Sequence, residues 1–401
     1  MTEAVIVDGL RTPIGRHRGG LSGVRPDDLA AHCIRTLLER HPAAKEGLEE
    51  VIFGDTNQAG EDNRNVARMA SILADVPFDV SAVTVNRLCG SGLEAIIQAS
   101  RAIRLGDHPV VLAGGVESMS RAPWAMPKPG EAYPRRPPTV YDTSLGWRFP
   151  NPKMEERIPL LSMGMTAENV AEKYGVSRED QDAFALKSHQ KALAAWEAGR
   201  FDAEVIAVET PSPKRKAPPG RLERDESMRP DSSLEKLGTL RAVFKEGGSV
   251  TAGNSSPLND GAACLLVTSD EYAKANGLTP LAKVRATGVS GVDPSYMGIG
   301  PIPSTQRALK KAGLQASDLD LVELNEAFAA QSLACVRELG LDEEKVNVNG
   351  GAIALGHPIG CSGARIVVTL MHEMKRRDAT LGLATLCIGV GQGLAMIIER
   401  V

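Results

Sequence analysis

The sequence predicts an α/β protein made of two similar halves, with a different kind of segment inserted between them. The first observation is that short apolar strands alternate with amphipathic helices toward both ends of the chain. Continuous apolar strands are typical of sheets that helices cover on both faces. The second observation is that the two ends repeat each other at a constant spacing. The third is that the composition changes between about residues 121 and 247.

The repeat consists of three pairs of short matches that always lie 271 residues apart. They are Leu48-Glu49-Glu50-Val51 with Leu319-Asp320-Leu321-Val322, Ser91-Gly92 with Ser362-Gly363, and Asp107 with Asp378. A constant spacing over about 60 residues predicts a duplicated α/β unit. Chance similarity between two α/β units is the alternative, because the identities are few.

The first half opens with a predicted strand from Ala4 to Val7, followed by a helix that begins at Pro26. Further short strands are predicted at Val51–Phe53, Val83–Val85 and Pro109–Ala113. A helix follows the strand that ends at Val85. Its first residues, Ser91 and Glu94, fit the S-x-x-E pattern of a capping box.

The middle of the chain differs from both ends. Residues 121–161 are rich in Pro, Arg and aromatic residues, residues 166–200 have a helical pattern, and residues 210–233 are charged and Pro-rich. We therefore predict three parts: residues 1–120 with 248–275 as the first half, 121–247 as an inserted loop domain, and 276–401 as the second half. A solvated cover without a role in binding is the alternative for the insertion.

Composition excludes several classes of protein. The chain has 401 residues, a net charge of −4 and only 4% aromatic residues, which argues against a dedicated nucleic-acid-binding protein. No apolar stretch approaches the roughly 18 residues that a membrane-spanning helix requires, and the first eight residues do not resemble a signal peptide. The six cysteines are scattered without C-x-x-C spacing, so we expect a reduced, cytoplasmic protein with no metal site.

Four segments at predicted strand ends carry groups that can do chemistry. Cys89 lies between a strand and the start of a helix, where the helix N-terminus is expected to lower the pKa of its thiol. His357 lies in the Gly-rich segment 347–360, Cys387 precedes the glycine turn Gly389-Val390-Gly391, and Asn325-Glu326 follows a strand. Ligands of open α/β sheets bind beyond the carboxyl ends of the strands.

Each of these groups also has a purely structural interpretation. Cys89 can be a buried residue in a tight turn, His357 a loop histidine whose hydrogen bonds are satisfied, and Asn325 a cap. Single cysteines are usually inert packing residues. The joint occurrence of four such segments favours an active site over any one of them alone.

Together these residues resemble the signature motifs of the thiolase family. The motifs are Val85-Asn86-Arg87-Leu88-Cys89-Gly90-Ser91-Gly92, Asn325-Glu326-Ala327-Phe328, Gly356-His357-Pro358 and Cys387-Ile388-Gly389-Val390-Gly391. They occur in the family's order and span essentially the whole chain. The resemblance implies a thiolase-like fold of two βαβαβαββ halves in five layers, α-β-α-β-α, with a loop domain inserted in the first half.

The resemblance also implies an acyltransferase that interconverts acyl-CoA plus acetyl-CoA with 3-oxoacyl-CoA plus CoA, as in fatty acid metabolism and β-oxidation. Cys89 would be the acylated nucleophile, His357 its activating base, and Cys387 the acid/base at the acetyl α-carbon. Asn325 would position a water in one oxyanion hole, and the N–H groups of Cys89 and Gly389 would form the other. No metal or permanently bound cofactor is implied.

CoA and acetyl-CoA are then the substrates, and the family's CoA-contacting positions match residues of this chain. They are Arg229 near the adenine and phosphate end, Ser256 near the pantetheine with Ala252 in the same segment, Ala327 and Phe328 along the pantetheine tunnel, and Met163 in the loop domain. Neither nucleic acid nor membrane is an expected partner. Members of the family are typically tetramers built as dimers of dimers, and sometimes dimers.

The acyl substrate remains open at the level of sequence. Ser162-Met163-Gly164 departs from acetoacetyl-CoA enzymes, which often have His before Met-Gly. The segment from Asp142 to Phe149 resembles the loop of 3-oxoadipyl-CoA thiolases, and Arg148 in it is a candidate partner for a terminal carboxylate. The alternative for Arg148 is a surface arginine beside a packed tryptophan. The alternative for the substrate is that of a medium-chain 3-ketoacyl-CoA thiolase. The alternative for the activity is a non-catalytic acyl-CoA-binding homologue.

Overall fold

The computed structural model describes residues 2–212 and 218–401. In the first half, strands alternate with helices. They are β1 (Ala4–Arg11), β2 (Gly15–Arg16), α1 (Pro26–Arg40), β3 (Leu48–Gly54), α2 (Val66–Leu73), β4 (Ser81–Val85), α3 (Ser91–Leu105) and β5 (Val110–Ser118). Only the two-residue β2 interrupts the alternation.

The inserted region consists of short elements and two longer helices. They are β6 (Trp124–Ala125), β7 (Tyr141–Asp142), α4 (Pro152–Glu155), α5 (Met163–Lys173), α6 (Arg178–Glu197), β8 (Val208–Thr210), β9 (Gly220–Leu222) and α7 (Leu234–Gly238). The chain then returns to the first half with β10 (Asn259–Ser269) and α8 (Asp270–Ala275). The boundaries of the three predicted parts remain a proposal.

The second half repeats the order of the first. It contains β11 (Ala282–Gly291), α9 (Pro301–Ala312), β12 (Leu321–Leu324), α10 (Ala329–Leu339), α11 (Ala352–Leu355), α12 (Ile359–Arg377), β13 (Leu381–Ile388) and β14 (Gln392–Arg400). The predicted spacing of 271 residues relates β3 to β12, α3 to α12 and β5 to β13. The third strand of this half is reduced to a single bridge between Val346 and Val322.

The main strands join into one sheet in the order β12-β13-β14-β11-β1-β10-β5-β3-β4, with β2 beside β10. Within the first half β3 pairs in parallel with β4 and β5, and in the second half β12 pairs in parallel with β13. The halves meet between β1 and β11, which share only two residue pairs, Val5 with Lys283 and Ile6 with Ala282. The joint is therefore short, and other contacts must hold the halves together.

Three apolar clusters separate the layers. One lies between the outer helices α1 and α2 and the sheet of the first half, and another lies between the sheet of the second half and the outer helices α9 and α10. The third contains α3 and α12 and the inner face of the strands of both halves. Alternate residues of β10 show the division, because Leu266 belongs to the outer cluster and Leu265 and Val267 to the central one. The α-β-α-β-α layering is thus confirmed.

The predicted capping box at the start of α3 is wrong. The helix begins at Ser91 itself, with Gly90 as its N-cap and no side-chain cap. The Ser91 hydroxyl donates to Leu88 O at 2.6 Å, and Glu94 accepts from Arg87 Nε at 3.0 Å. Both side chains therefore hold the turn that precedes the helix instead of the helix N-terminus. Among the described helices, none has the length and apolar character needed to cross a bilayer.

Candidate active site

Cys89 lies in a tight turn between β4 and α3. The preceding Leu88 has φ of +47°, a left-handed conformation that is uncommon for a side chain branched beyond Cβ. The turn is closed by hydrogen bonds from Gly90 N to Arg87 O at 3.0 Å and from Ser91 N to Leu88 O at 2.9 Å. This geometry presents the thiol at the carboxyl end of β4, and Cys89 is partly exposed there.

The thiol of Cys89 is harder to ionise than the sequence suggested. Burial raises its pKa to about 11, although backbone N–H groups of Gly389 and of Cys89 itself favour the thiolate. The expectation that the helix N-terminus would lower this pKa is therefore wrong. Desolvation of the charged form outweighs the dipole here. The thiol is protonated at neutral pH, so it needs a base.

His357, the predicted base, is the second residue of the predicted site. It is buried between α11 and α12, and its backbone N donates to Asn259 Oδ1 at 2.9 Å. Its Nδ1 lies 2.6 Å from the Ser362 hydroxyl, which donates to Pro358 O at 2.9 Å. A hydroxyl that donates elsewhere accepts from Nδ1–H, which leaves the lone pair on Nε2. Burial, aided by the positive charge of Arg365, lowers the pKa of His357 to about 4, so the imidazole is neutral.

Asn325 follows β12 directly and faces the imidazole. Its Nδ2 lies 3.4 Å from His357 Nε2 and 3.5 Å from Nδ1. Its Oδ1 is buried and accepts no hydrogen bond from any described residue. Because unpaired buried acceptors are costly, such an atom is suited to a water or a ligand. The neighbouring Glu326 is structural, since it accepts from Ser188, Asn347 and Ile353.

Cys387 is the second-last residue of β13 and is buried in a small apolar cluster with Ala327, Phe328 and Met163. Burial raises the pKa of Cys387 well above its usual value, and the neighbouring Cys89 contributes in the same direction. Cys387 is therefore a protonated thiol near a second thiol. The spatial pairing of two cysteines that are 298 residues apart is what the family motifs implied.

A strained hairpin turn after Cys387 brings a backbone donor to Cys89. The turn Gly389-Val390-Gly391 joins β13 to β14, and Val390 has φ of +64°, which is rare for a β-branched residue. Gly389 is the turn residue whose N–H lies within reach of the Cys89 sulfur. A Cβ at Gly389 would lie 3.4 Å from Leu88 Cδ1 and 3.5 Å from Met163 Sδ, so the two turns pack closely.

These turns form one wall of a cavity of about 840 Å³, part of which is open to solvent. The opposite wall is the loop from Thr143 to Arg148, which comes from the inserted region. The complete lining is Thr56, Leu88, Cys89, Thr143, Ser144, Leu145, Gly146, Trp147, Arg148, Met163, Ile359, Gly389 and Val390. Arg148 and Cys89 therefore share one cavity, and among the described residues Arg148 forms no ion pair.

A second cavity, of about 650 Å³, contains two of the predicted CoA-contacting residues, Arg229 and Ala252. Ser256 does not line it. Ser256 donates both its hydroxyl and its backbone N to Ala327 O at 3.0 Å, and the adjacent Ser255 does line the cavity. Ala327 in turn belongs to the cluster of Cys387 and Met163. Contacts between the predicted CoA positions thus link the lining of the second cavity, through Ala327, to Met163 in the lining of the first.

Several residues around Cys89 were missed by the sequence analysis. Thr56 and Ile359 line the cavity, and the buried Glu117 lies behind it. The negative charge of Glu117 also contributes to the raised pKa of the Cys89 thiol. The one signal in the sequence is that Glu117 follows the apolar run of β5 at its carboxyl end, as Asn325 follows β12.

Two neighbouring thiols, a neutral histidine and backbone N–H donors at the carboxyl ends of the strands of a duplicated α/β fold are the groups that a covalent acyl-transfer enzyme needs. Family models for the thiolase N-terminal domain and the thiolase C-terminal domain match residues 4–271 and 278–400. The chain belongs to the thiolase family.

The chain is similar over its full length to proteins of known activity. It is 53% identical to a beta-ketoadipyl-CoA thiolase of Escherichia coli, with 100% of each chain covered. It superimposes on the acetyl-CoA acetyltransferase of Bacillus anthracis with a TM-score of 0.94 and 43% identity, and on human mitochondrial 3-ketoacyl-CoA thiolase with 0.93 and 41%. These structures cover 100% of this chain and 99% of their own. The protein is an acyltransferase with thiolase chemistry, the reversible condensation and thiolysis of acyl-CoA thioesters.

Proposed function

We propose that the preferred substrate is a 3-oxoacyl-CoA whose acyl chain ends in a carboxylate, namely 3-oxoadipyl-CoA. The observation that carries this proposal is that Arg148, with no ion-pair partner among the described residues, lines the cavity of Cys89. A guanidinium binds a carboxylate with two parallel hydrogen bonds. Beta-ketoadipyl-CoA thiolases from Escherichia coli and Pseudomonas putida are 53% and 52% identical to this chain. This favours degradation of aromatic compounds over the predicted fatty acid β-oxidation.

The catalytic roles implied by the motifs fit the charge states of the groups. His357 Nε2 takes the proton of the Cys89 thiol, and the thiolate attacks the 3-oxo carbon of the substrate. The C2–C3 bond then breaks, the acyl group stays on Cys89, and the enolate of acetyl-CoA takes a proton from Cys387. The thiol of CoA next attacks the acyl-enzyme and gives its proton to Cys387, the bond from Cys89 sulfur to the acyl carbon breaks, and the leaving Cys89 thiolate takes back the proton held by His357. The neutral imidazole and the protonated Cys387 thiol are the forms that these steps need.

Backbone donors and Asn325 supply the charge stabilisation for these steps. The N–H groups of Cys89 and Gly389 lie beside the sulfur, where the oxygen of the tetrahedral intermediate develops its charge. The Asn325 amide beside His357 suits the enolate oxygen of the acetyl group, through a water held at the Asn325 side chain. No metal and no resident cofactor enter these steps, and CoA and acetyl-CoA are substrates.

The chemistry is tested by intact-mass measurement after incubation with acetyl-CoA. We expect one acetyl adduct on Cys89 that CoA discharges, and none in Cys89→Ala. Cys387→Ser should still acquire the adduct, but it should exchange the acetyl α-protons with deuterated water about 10²- to 10⁴-fold more slowly, because its base is missing. A folded wild-type sample that forms no adduct would overturn the assignment.

The substrate is tested by comparing kcat/KM for 3-oxoadipyl-CoA and acetoacetyl-CoA. Arg148→Gln should lower the value for 3-oxoadipyl-CoA about 10- to 100-fold, because a charged hydrogen bond to the carboxylate is lost, and should leave acetoacetyl-CoA nearly unchanged. The matched control is Arg136→Gln, since Arg136 is exposed in the same inserted region and lines neither cavity. A wild-type enzyme without preference for the diacid would refute the proposal.

We also propose a homotetramer, a dimer of dimers, in the cytoplasm. Strand β4 is the last strand of the sheet, and Phe78 and Val83 beside it and in it are 79% and 41% exposed. An exposed apolar strand edge favours pairing with a second copy. The six cysteines are free, as expected in a reducing compartment. Light scattering across a range of protein concentrations measures the assembly.

A further inference from the structure

The buried carboxylate of Glu117 is the centre of a hydrogen-bond network behind the cavity. It accepts from Thr56 N at 3.1 Å, Thr56 Oγ1 at 2.7 Å, Asn57 N at 3.3 Å and Gly360 N at 2.9 Å. Glu117 is the second-last residue of β5, Thr56 and Asn57 follow β3, and Gly360 lies in the first turn of α12. One side chain therefore fixes three elements of the two halves to each other.

Asp55 lies beside Glu117, and the two buried carboxyl groups together carry a single negative charge. Burial and the charge of Glu117 raise the pKa of Asp55 well above its usual range, so Asp55 is the protonated partner. Its Oδ2 has no hydrogen-bond partner among the described residues. Glu117 keeps the negative charge because four donors point at it. The Glu117 carboxylate is thus held by four donors from two segments of the chain.

The network continues into the loop that carries Arg148. Asn57 Nδ2 donates to Thr143 Oγ1 at 2.9 Å, and Thr143 Oγ1 donates to Pro123 O at 2.5 Å. Arg148 Nη1 donates to Thr143 O at 3.3 Å. Asn57 and Thr143 are both only 4% exposed. A continuous series of hydrogen bonds therefore joins α12, next to His357, to the guanidinium of Arg148.

Thr143 is also the point at which this part of the insertion is held to the body of the enzyme. Between residues 121 and 163, all of which the structure describes, it is the single buried residue. Its neighbours Ser144 and Asp142 form a local turn, with Ser144 N donating to Asp142 Oδ1 at 2.9 Å. Few contacts therefore hold the loop at the cavity. The hydrogen bond from Asn57 to Thr143 is the one among them that joins two buried side chains.

We propose that Asn57 and Thr143 are specificity-determining positioning residues, which fix the loop so that Arg148 meets the terminal carboxylate of the acyl chain. The proposal rests on the proposed preference for a diacid substrate. Neither residue takes part in bond making. Their bond selects the substrate, because a loop that moves out of the cavity loses the carboxylate contact while Cys89, His357 and Cys387 stay in place.

The test compares Thr143→Val, which keeps the shape of the side chain and removes its hydroxyl, with Thr143→Ser, which restores the hydroxyl. Thr143→Val should raise KM for 3-oxoadipyl-CoA about tenfold, because the buried Asn57 amide loses its acceptor and the loop shifts. Because Thr143 itself lines the cavity, some loss of kcat/KM for acetoacetyl-CoA is expected, but it should be much smaller than the loss for 3-oxoadipyl-CoA, and Thr143→Ser should recover the wild-type KM. In an Arg148→Gln background Thr143→Val should add little, since both changes act on one contact.

Hydrogen exchange of residues 141–149 supplies a readout that is independent of the substrate. Exchange there should become several-fold faster in Thr143→Val and should return to the wild-type rate in Thr143→Ser. Faster exchange with an unchanged KM for 3-oxoadipyl-CoA would overturn the specificity role, and so would an equal loss with both substrates. Unchanged exchange would overturn the anchoring role. A wild-type enzyme without diacid preference would instead refute the proposed function, and exchange would still decide the anchoring.

Discussion

At the scale of single residues, the protonation states of the catalytic pair follow from burial. Cys89 is a thiol whose pKa is raised to about 11, and His357 is an imidazole whose pKa is lowered to about 4. Desolvation disfavours both charged forms, so the pair rests as thiol and neutral base and not as an ion pair. The thiolate then forms mainly when a bound thioester and the donors around it stabilise negative charge.

This resting state predicts an unusual pH dependence of acylation. Because His357 stays neutral down to about pH 4, the acylation rate with acetyl-CoA should be nearly equal at pH 5 and pH 7. An imidazole with an ordinary pKa of about 6.5 would be only about 3% neutral at pH 5 and would lose most of the rate. Rapid-quench measurement of the acetyl adduct across this range gives the profile.

The control for this profile is a measurement at each pH that the enzyme is still folded. The folded pKa of His357 lies below its unfolded value, so the folded state resists protonation and stability falls as the pH drops from about 6.5 toward 4. Circular dichroism at each pH separates unfolding from titration. A folded enzyme whose acylation rate halves near pH 6.5 would contradict the neutral buried imidazole.

The same scale shows which residues a sequence can predict. Cys89, His357 and Cys387 lie in glycine-rich segments at strand ends, and this pattern, together with the resemblance to the thiolase motifs, selected them as candidates. Glu117, Asn57 and Thr143 have no such local pattern. Asn57 lies 60 residues from Glu117 and 86 from Thr143 in sequence, so only the folded backbone brings them together. Long-range polar networks of this kind are set by tertiary structure.

At the scale of elements, the conformation of single turn residues decides where helices end. α9, α10 and α12 all end in a left-handed residue, which is Gly313, Gly340 and Asp378 respectively. Glycine is the usual residue at such helix ends, because it has no Cβ. The left-handed Leu88 and Val390 could not be predicted from the sequence, because such residues disfavour this conformation in isolation. Their strain is maintained by the packing of the two turns around Cys89.

A pair of glycine substitutions isolates the effect of the left-handed conformation. A Cβ at Gly313, where φ is +71°, would meet no atom within 4 Å, and the same holds at Gly238, the last residue of α7, where φ is not positive. Gly313→Ala should lower the free energy of unfolding by about 1 kcal/mol through backbone strain alone. Gly238→Ala should be neutral or stabilising by up to about 1 kcal/mol. Denaturant midpoints measured at one protein concentration compare them, and equal midpoints would contradict the strain argument.

At the scale of the whole molecule, the repeat in the sequence is visible as an internal symmetry of contacts. Helices α3 and α12 pack against each other between the sheets. A Cβ on Gly92 would lie 2.7 Å from Ala364 N, and a Cβ on Gly363 would lie 2.3 Å from Leu93 N. These two contacts are related by the spacing of 271 residues. The two copies of the repeat share few identical residues. The Ser-Gly pair is identical in both, and it lies where α3 and α12 approach each other closely.

The sequence could not show that these glycines are the joint between the halves. The spacing predicted two similar units, and the sheet could have joined them along a whole strand. Instead, β1 and β11 share only two residue pairs, so the close crossing of α3 and α12 provides much of the contact. The surplus of glycine, 40 residues in the chain, is thus explained in part by this crossing as well as by the catalytic turns.

The close crossing predicts a reversal of the usual rule for glycine in helices. Gly363 lies in the first turns of α12, where replacement by alanine would ordinarily stabilise a helix by up to about 1 kcal/mol. Here the added methyl group would lie 2.3 Å from backbone N of Leu93 and 2.8 Å from its Cβ, so α3 and α12 must separate. We expect Gly363→Ala to lower stability by about 2–3 kcal/mol, as overpacked cores do. Denaturant unfolding at fixed protein concentration measures the loss, with Gly238→Ala as the control for the substitution itself. A Gly363→Ala protein as stable as the wild type would contradict this prediction, because α3 and α12 would then accommodate the methyl group without a loss of packing.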